Sequence, residues 1–267
     1  MKMRIPGRSF VVYYGRGPLP GIESYDIAIL EPDGWTTPMH RQLKAAHVTT
    51  LAYLSAFEVP PWRFAQTGLL PGDLVHVGGQ RWVKEPFGNW LARPDSPRWR
   101  EYLERRVEFL YRQGWDGLFV DTLGDVEDEH LADQAGWLVP AMADLVRHLR
   151  VRFPERPLVV NNGLFQLVPL IGPYIDGVCW EGDLTPETLR QPWAQAVLEY
   201  LGRAHQEQGW VNFMLTHITG SALSVAQRLL RFSEDADRYG FLSYAAPTDY
   251  AAGIRIRDGR VVSPKPN

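Results

Sequence analysis

Short apolar runs and amphipathic runs take turns along this chain, and that alternation restricts its fold more than any other feature. Eight runs read as strands: Phe10 to Tyr14, Asp26 to Glu31, Val48 to Ser55, Leu118 to Asp121, Pro157 to Gly163, Asp176 to Gly182, Trp210 to Leu215 and Gly240 to Tyr244. Helical spacing predicts helices opening at Thr37-Pro38, then over Arg98 to Arg112, Glu129 to Phe153, Pro186 to Gln208 and Ala222 to Arg238. Strands joined through helices run parallel, because each crossover returns the chain to the same end of the sheet. Eight such units in 267 residues suit a single-domain (β/α)₈ TIM-like barrel over 1–267. The rival is an open doubly wound sheet. No glycine-rich phosphate loop follows any strand, which weakens its nucleotide-binding form.

One span breaks the rhythm. Between Glu58 and Asp95 the periodicity lapses, and Pro and Gly accompany Trp62, Trp82 and Trp90. An irregular stretch of that length is commonly functional. It is expected to fold over the ends of the strands and supply aromatic walls.

Composition narrows the partners. The net charge is -3 and no Lys/Arg run stands out, so nucleic acid is not expected. Cys179 is the single cysteine, which excludes an internal disulfide. No apolar run approaches the roughly 20 residues of a membrane helix. The N-terminal MKMRIPGRSFVVYYG lacks the apolar region of a signal peptide, which fits a cytoplasmic protein or a mature secreted form.

In a barrel of this kind, reactive side chains gather where strands meet the following loops. Those positions hold Tyr13, Tyr14, Glu31, Asp33, Ser55, Glu58, Asp121, Asn161, Asn162, Glu181, Asp183, Thr216, His217 and Tyr244, with Asp125 close behind Asp121. Asp121 follows Leu118-Phe119-Val120, so its charge either faces a polar cleft or caps the next turn beside Thr122. Several carboxylates around an aromatic-edged pocket are the equipment of glycoside hydrolysis. One carboxyl protonates the leaving oxygen, a second attacks or activates water, and aromatic faces hold sugar rings. Tyr13, Tyr14, Trp62, Trp82, Trp90 and Tyr244 are the candidates for stacking. Two other readings stand beside this one. A metal-dependent hydrolase could draw on Asp121, Asp125, Asp128 and Glu129 with His130 or His217, but no His-x-His or His-Glu-x-x-His spacing supports it. A barrel that binds sugar without catalysis is the non-enzymatic alternative. No cofactor is called for.

The stretch GWDGLFVDTLGD resembles the GFDGVFLDTVD-type signature of glycoside hydrolase family 114, the endo-α-1,4-polygalactosaminidases. YDIAILEPD, LAYLSAFEV and DGVCWEGDL extend the likeness from about Val11 to Tyr244. The resemblance implies a TIM-like barrel, hydrolysis of α-1,4-linked galactosamine-rich polysaccharide, and a catalytic pair that matches Asp121 and Glu181. Glu31 stands where the family tends to have Asp, Phe57 where Gly is usual, and Thr216-His217 ends the seventh strand in a pattern of its own.

Chemistry assigns expected roles. Polar neighbours around Asp121 should keep it ionised, as nucleophile or base. Trp180 beside Glu181 should favour its protonated form, as general acid. Glu31, Asp33, Glu58, Asp125 and Asp183 should make the cleft negative and suited to a cationic amino sugar. The remaining substrate-binding candidates are Tyr14, Asn161, Asn162, His217 and Tyr244.

Overall fold

Eight short strands with buried residues on both faces pair in sequence order into one parallel sheet, here described from a computed structural model. The structure describes residues 5, 7–132, 135–217, 232–246, 250, 255–257 and 260–262. The strands are β1 (Phe10–Tyr13), β2 (Ile27–Leu30), β3 (Thr49–Ser55), β4 (Gly117–Asp121), β5 (Leu158–Asn161), β6 (Gly177–Gly182), β7 (Val211–His217) and β8 (Phe241–Ala246). The first and last lie side by side, so the sheet curls into a nearly closed barrel. Near-continuous apolar sequence is what such strands require, since helices cover one face and packed side chains fill the other.

Register fixes which residues look inward. Ser55 pairs with Asp121. Asn161 pairs with Cys179, and Glu181 with Leu215. Side chains alternate along a strand, so Tyr53 and Ser55, Phe119 and Asp121, and Cys179 and Glu181 share the inner face.

The helices follow proline more closely than apolar spacing. The expected Glu129 to Phe153 helix is interrupted: a short turn covers Glu129–Ala132 and the main helix spans Leu138–Arg152. Pro140 has no N–H to give to a preceding turn, so it sits in the first turn of its helix. For the same reason the expected Pro186 to Gln208 helix divides into Pro186–Leu189 and Pro192–Gln208, each opened by its proline. The helix over Pro97–Arg112 is capped by Ser96, whose Oγ accepts from Trp99 N at 3.2 Å, and it buries Trp99, Leu103, Val107 and Leu110. A short helix over Leu167–Ile171, not anticipated from spacing, fills the gap between β5 and β6. Of the expected Ala222 to Arg238 helix, 232–238 is helical and the rest lies outside the described residues.

Residues 58–95 are irregular only in sequence. Glu58–Val59, Asn89–Leu91 and Val83–Lys84 form a small antiparallel sheet, and His76–Val77 pairs with Gln80–Arg81 in a hairpin. This lobe leaves directly from the end of β3. Lys84 ties it to the loop after β4, through Asp125 at 2.9 Å and Asp128 at 3.2 Å. Trp90 is half-buried within the lobe, against Phe64 and beneath the Arg81 guanidinium.

Candidate active site

The exits of β3 and β4 are stitched together before any functional side chain is placed. Ala56 N donates to the Asp121 carbonyl at 3.0 Å. Thr122, in the left-handed region at φ 66, accepts at its Oγ1 from Phe57 N (2.9 Å) and Glu58 N (3.2 Å). The turn after β4 is thus organised by Thr122, and the Asp121 carboxylate is left facing the barrel mouth. Beyond it, the loops after β4 and β5 touch closely. A side chain at Gly124 would meet Gly163 N at 2.8 Å, and Gly163 itself has φ 73. Glycine at both positions is a steric requirement of this approach.

Between these strands stands Asn161. Its Nδ2 donates to Asp121 Oδ1 at 2.9 Å and to Glu181 Oε2 at 2.6 Å. Asn162, also left-handed at φ 56, accepts from Glu181 N at 3.0 Å through its Oδ1. One asparagine therefore bridges the two carboxylates and the next fixes the backbone of the second. Glu181 Oε1 meets the Tyr250 hydroxyl, and His217 Nε2 lies 3.3 Å away. Tyr14 packs between Tyr53 and Tyr250, with both ring centroids at 4.9 Å. The Tyr53 hydroxyl hydrogen-bonds Asp121.

The electrostatics reverse the expected balance. Burial and the nearby Glu181 charge push Asp121 up to about 6, against the opposing pull of Asn161, the Thr122 backbone and Tyr53. Glu181 is held below the ordinary carboxylate range: burial works against ionisation, but hydrogen bonds from His217, Tyr250 and Asn161 outweigh it. The expectation that Trp180 would press on Glu181 is incorrect. Adjacent residues of a strand face opposite ways, and Trp180 packs outside the barrel against Trp193, at 5.9 Å.

A pocket of about 230 Å³ opens at the end of β3, lined among others by Glu31, Tyr53, Glu58, Trp62, Asn89 and Tyr102; neither Asp121 nor Glu181 lines it. Val59, Pro60, Trp62 and Asn89 of the 58–95 lobe form one wall, and Trp62 is 67% exposed. Glu58 accepts from Asn89 Nδ2 and is pushed up to about 7, chiefly by burial and by its hydrogen bond with Asp125. Glu31 is also raised, mainly by burial.

The cleft is less negative than the count of acids predicts. Asp33 is bound by Arg63 at 2.7 Å and Arg106 at 2.6 Å, joining the lobe to the Pro97–Arg112 helix. Asp125 and Asp128 both hold Lys84, an ammonium where the metal-centred reading would seat a cation. Asp183 is exposed on the loop after β6. Tyr244 does not join the site. It points into the barrel below it, packed on Phe10 (5.6 Å) and Tyr25 (6.2 Å), because β8 continues two residues further, to Ala246. Tyr13 is buried against Trp35 rather than open to a ligand. Two contributors escape a reading of the sequence. Tyr53 could be found from its parity with Ser55 on an inward-facing strand. Tyr250 lies beyond the last strand of the barrel and carries no local signal.

A family model described as glycoside-hydrolase family GH114 matches residues 8–182, more than half of the chain. No curated protein sequence matches. Among solved structures, the glycoside hydrolase domain of PelA from Pseudomonas aeruginosa superposes with a TM-score of 0.73 at 22% identity, covering 92% of this chain and 97% of that one. Aspergillus fumigatus Ega3, in complex with galactosamine, gives 0.72 at 13% identity, with coverage of 98% and 97%. An α-galactosidase from Thermus thermophilus gives 0.56 at 11% identity, with coverage of 97% and 67%.

Proposed function

Because this chain belongs to glycoside-hydrolase family GH114, and is thus a glycosidase, we propose that it cleaves α-1,4-linked galactosamine-containing polysaccharide within the chain, with Asp121 and Glu181 as its catalytic carboxylates. The observation that carries this reading is the pair itself: two carboxylates at the ends of next-but-one strands, bridged by the amide of Asn161 on the strand between them, with a pocket edged by tyrosine and tryptophan at the end of the adjoining β3. The galactosamine bound to the structurally similar fungal protein supports the choice of sugar.

Spacing supports a retaining course. The oxygens that share Asn161 Nδ2 are no more than about 5.5 Å apart, the two hydrogen bonds laid end to end. Retaining glycosidases hold their carboxyls about 5–5.5 Å apart, whereas inverting ones leave about 6.5–9.5 Å for a water. We assign Asp121 as nucleophile. It is a carboxylate above about pH 6, and Asn161 and Tyr53 orient it at the floor of the mouth. Glu181, one methylene longer, is the acid that protonates the leaving oxygen and then the base that activates water. Glu31 and Glu58, both raised by burial, offer carboxyl oxygens to a sugar hydroxyl and, once ionised, to an ammonium, with Trp62 as a stacking face.

The deciding experiment offers the purified protein deacetylated and acetylated α-1,4-galactosamine polymers, with starch and chitosan as controls, and weighs the products. Oligomers of several lengths from the galactosamine polymers support the reading. Monomer alone would overturn the endo mode, and release from starch or chitosan only would overturn the substrate.

A further inference from the structure

Glu181 raises a difficulty that its surroundings also resolve. A general acid needs a proton at working pH, yet the donors around this carboxylate favour its ionised form. Three polar groups converge on a single point. His217, the last residue of β7, brings Nε2 within 3.3 Å of Glu181 Oε1 and 3.3 Å of the Tyr250 hydroxyl, and that hydroxyl also bonds Glu181 Oε1. The imidazole is held by packing as well: it meets the Tyr250 ring edge-on at 5.6 Å and 73°. Tyr250 is anchored in turn, its carbonyl accepting from Tyr14 N at 2.9 Å and its ring resting on Tyr14. His217 Nδ1 is buried with no hydrogen-bond partner among the described residues, so Glu181 and Tyr250 are the polar partners of the ring.

We propose that His217 is the proton-holding partner of Glu181, keeping on Nε2 the proton that Glu181 delivers to the leaving oxygen. This rests on Glu181 being the acid of the pair. In the first half-reaction the Nε2 proton passes to Glu181 Oε1, leaving a neutral imidazole. An Asp121 oxygen bonds the anomeric carbon, the glycosidic C–O bond breaks, and its electron pair leaves with the oxygen, which takes the Glu181 proton. In the second half-reaction water displaces Asp121 from the anomeric carbon. The proton it sheds returns to Glu181 and from there to His217.

The titratable groups facing the imidazole are Glu181 from β6, Asp183 from the loop beyond it, and Tyr250, with Asp121 of β4 on the far side of Glu181. The hydrogen bond to Glu181 and the charges of Glu181 and Asp183 hold His217 above its ordinary value, against the effect of burial. His217 acts through Glu181 and is a positioning residue.

The test pairs kinetics with a titration that needs no substrate. In His217→Gln, which keeps a donor but cannot hold a mobile proton, kcat should fall about 10- to 100-fold, up to the lower end of the roughly 100- to 10,000-fold range of direct acid–base catalysis because His217 acts through Glu181, with KM little changed. The alkaline limb of kcat/KM should move down by at least about one pH unit, because the protonated state then rests on Glu181 alone. NMR of the His217 ring in the wild-type protein should show it titrating above the ordinary histidine value of about 6.5, and falling back toward it in Glu181→Gln. Wild-type protein inert on every galactosamine polymer overturns the substrate reading while the NMR titration still judges His217. An active wild type with an unmoved alkaline limb in His217→Gln, or a His217 that titrates at or below about 6.5 in the wild type, overturns the proton-holding role.

Discussion

Asp121 and Glu181 accept hydrogen bonds from the same nitrogen, Asn161 Nδ2, at 2.9 and 2.6 Å. A donor shared in this way does two things. It sets the separation of the two carboxylates, and it lowers the proton affinity of both. Asn161→Ala should therefore impair catalysis beyond the loss of one contact. Asp121 would then ionise above its present value of about 6, and kcat should drop about 10- to 1000-fold, with a folded barrel by circular dichroism. A variant that keeps wild-type kcat would mean that the bridge is incidental.

The acid limb of the pH–rate profile should report Asp121. Its carboxyl is raised to about 6, so kcat/KM should fall as pH drops through that value, because the nucleophile becomes protonated. Tyr53→Phe removes a hydrogen bond that favours the ionised form, and should shift this limb to higher pH. A limb near the ordinary carboxylate value of about 4 in the wild-type enzyme would show that another group is being titrated.

The same shift has a cost in stability, and its sign is fixed. Asp121 binds its proton more tightly in the folded chain, at about 6, than at its ordinary value of 3.8. Its contribution is therefore most favourable below the lower value and is lost as pH rises through the window between the two. Glu58, raised from 4.5 to about 7, behaves likewise over its own window. Asp121→Asn should raise stability at about pH 8 by on the order of 1–3 kcal/mol and by much less at about pH 4, measured by urea unfolding. Equal effects at both pH values would remove the electrostatic explanation.

Trp62 offers a separate handle on binding. It is exposed on the pocket wall, away from the carboxylates, and little of the fold depends on it. Trp62→Ala should raise KM for long oligosaccharides about 2- to 10-fold, as expected for one aromatic contact, with kcat nearly unchanged. Loss of kcat with KM intact would place Trp62 in the catalytic step.

Much of the fold is legible because parallel strands and their helices leave separate signatures: apolar runs such as Leu158-Val159-Val160 of β5, and the helical spacing that puts Val107 and Leu110 on the inner side of the Pro97–Arg112 helix, where Trp99 and Leu103, and not Tyr102 and Tyr111, complete the buried stripe. The meeting of Asp121 and Glu181 is legible for a related reason, since an acid directly after such a run has few structural uses. What the sequence hides lies in tertiary relationships. Adjacency suggests that Trp180 touches Glu181, whereas strand parity sends the indole to the opposite face. Tyr250 reaches Glu181 from 69 positions away, a distance no local pattern spans. The cations that neutralise Asp33 and Asp125 come from other elements, Arg63, Arg106 and Lys84, so a count of acids overstates the negative charge of the cleft.

The most direct test of the carboxylate pair uses Asp121→Asn and Glu181→Gln side by side on the galactosamine polymer and on an activated aryl glycoside of the same sugar. Both substitutions keep side-chain volume and remove only the ionisable group. On the polymer each should lower kcat about 100- to 10,000-fold. On the aryl glycoside, whose leaving group needs no protonation, Glu181→Gln should accumulate a covalent glycosyl-enzyme visible by intact mass, and Asp121→Asn should not. The reverse pattern would exchange the two roles, and wild-type turnover of the polymer by either variant would contradict the pair.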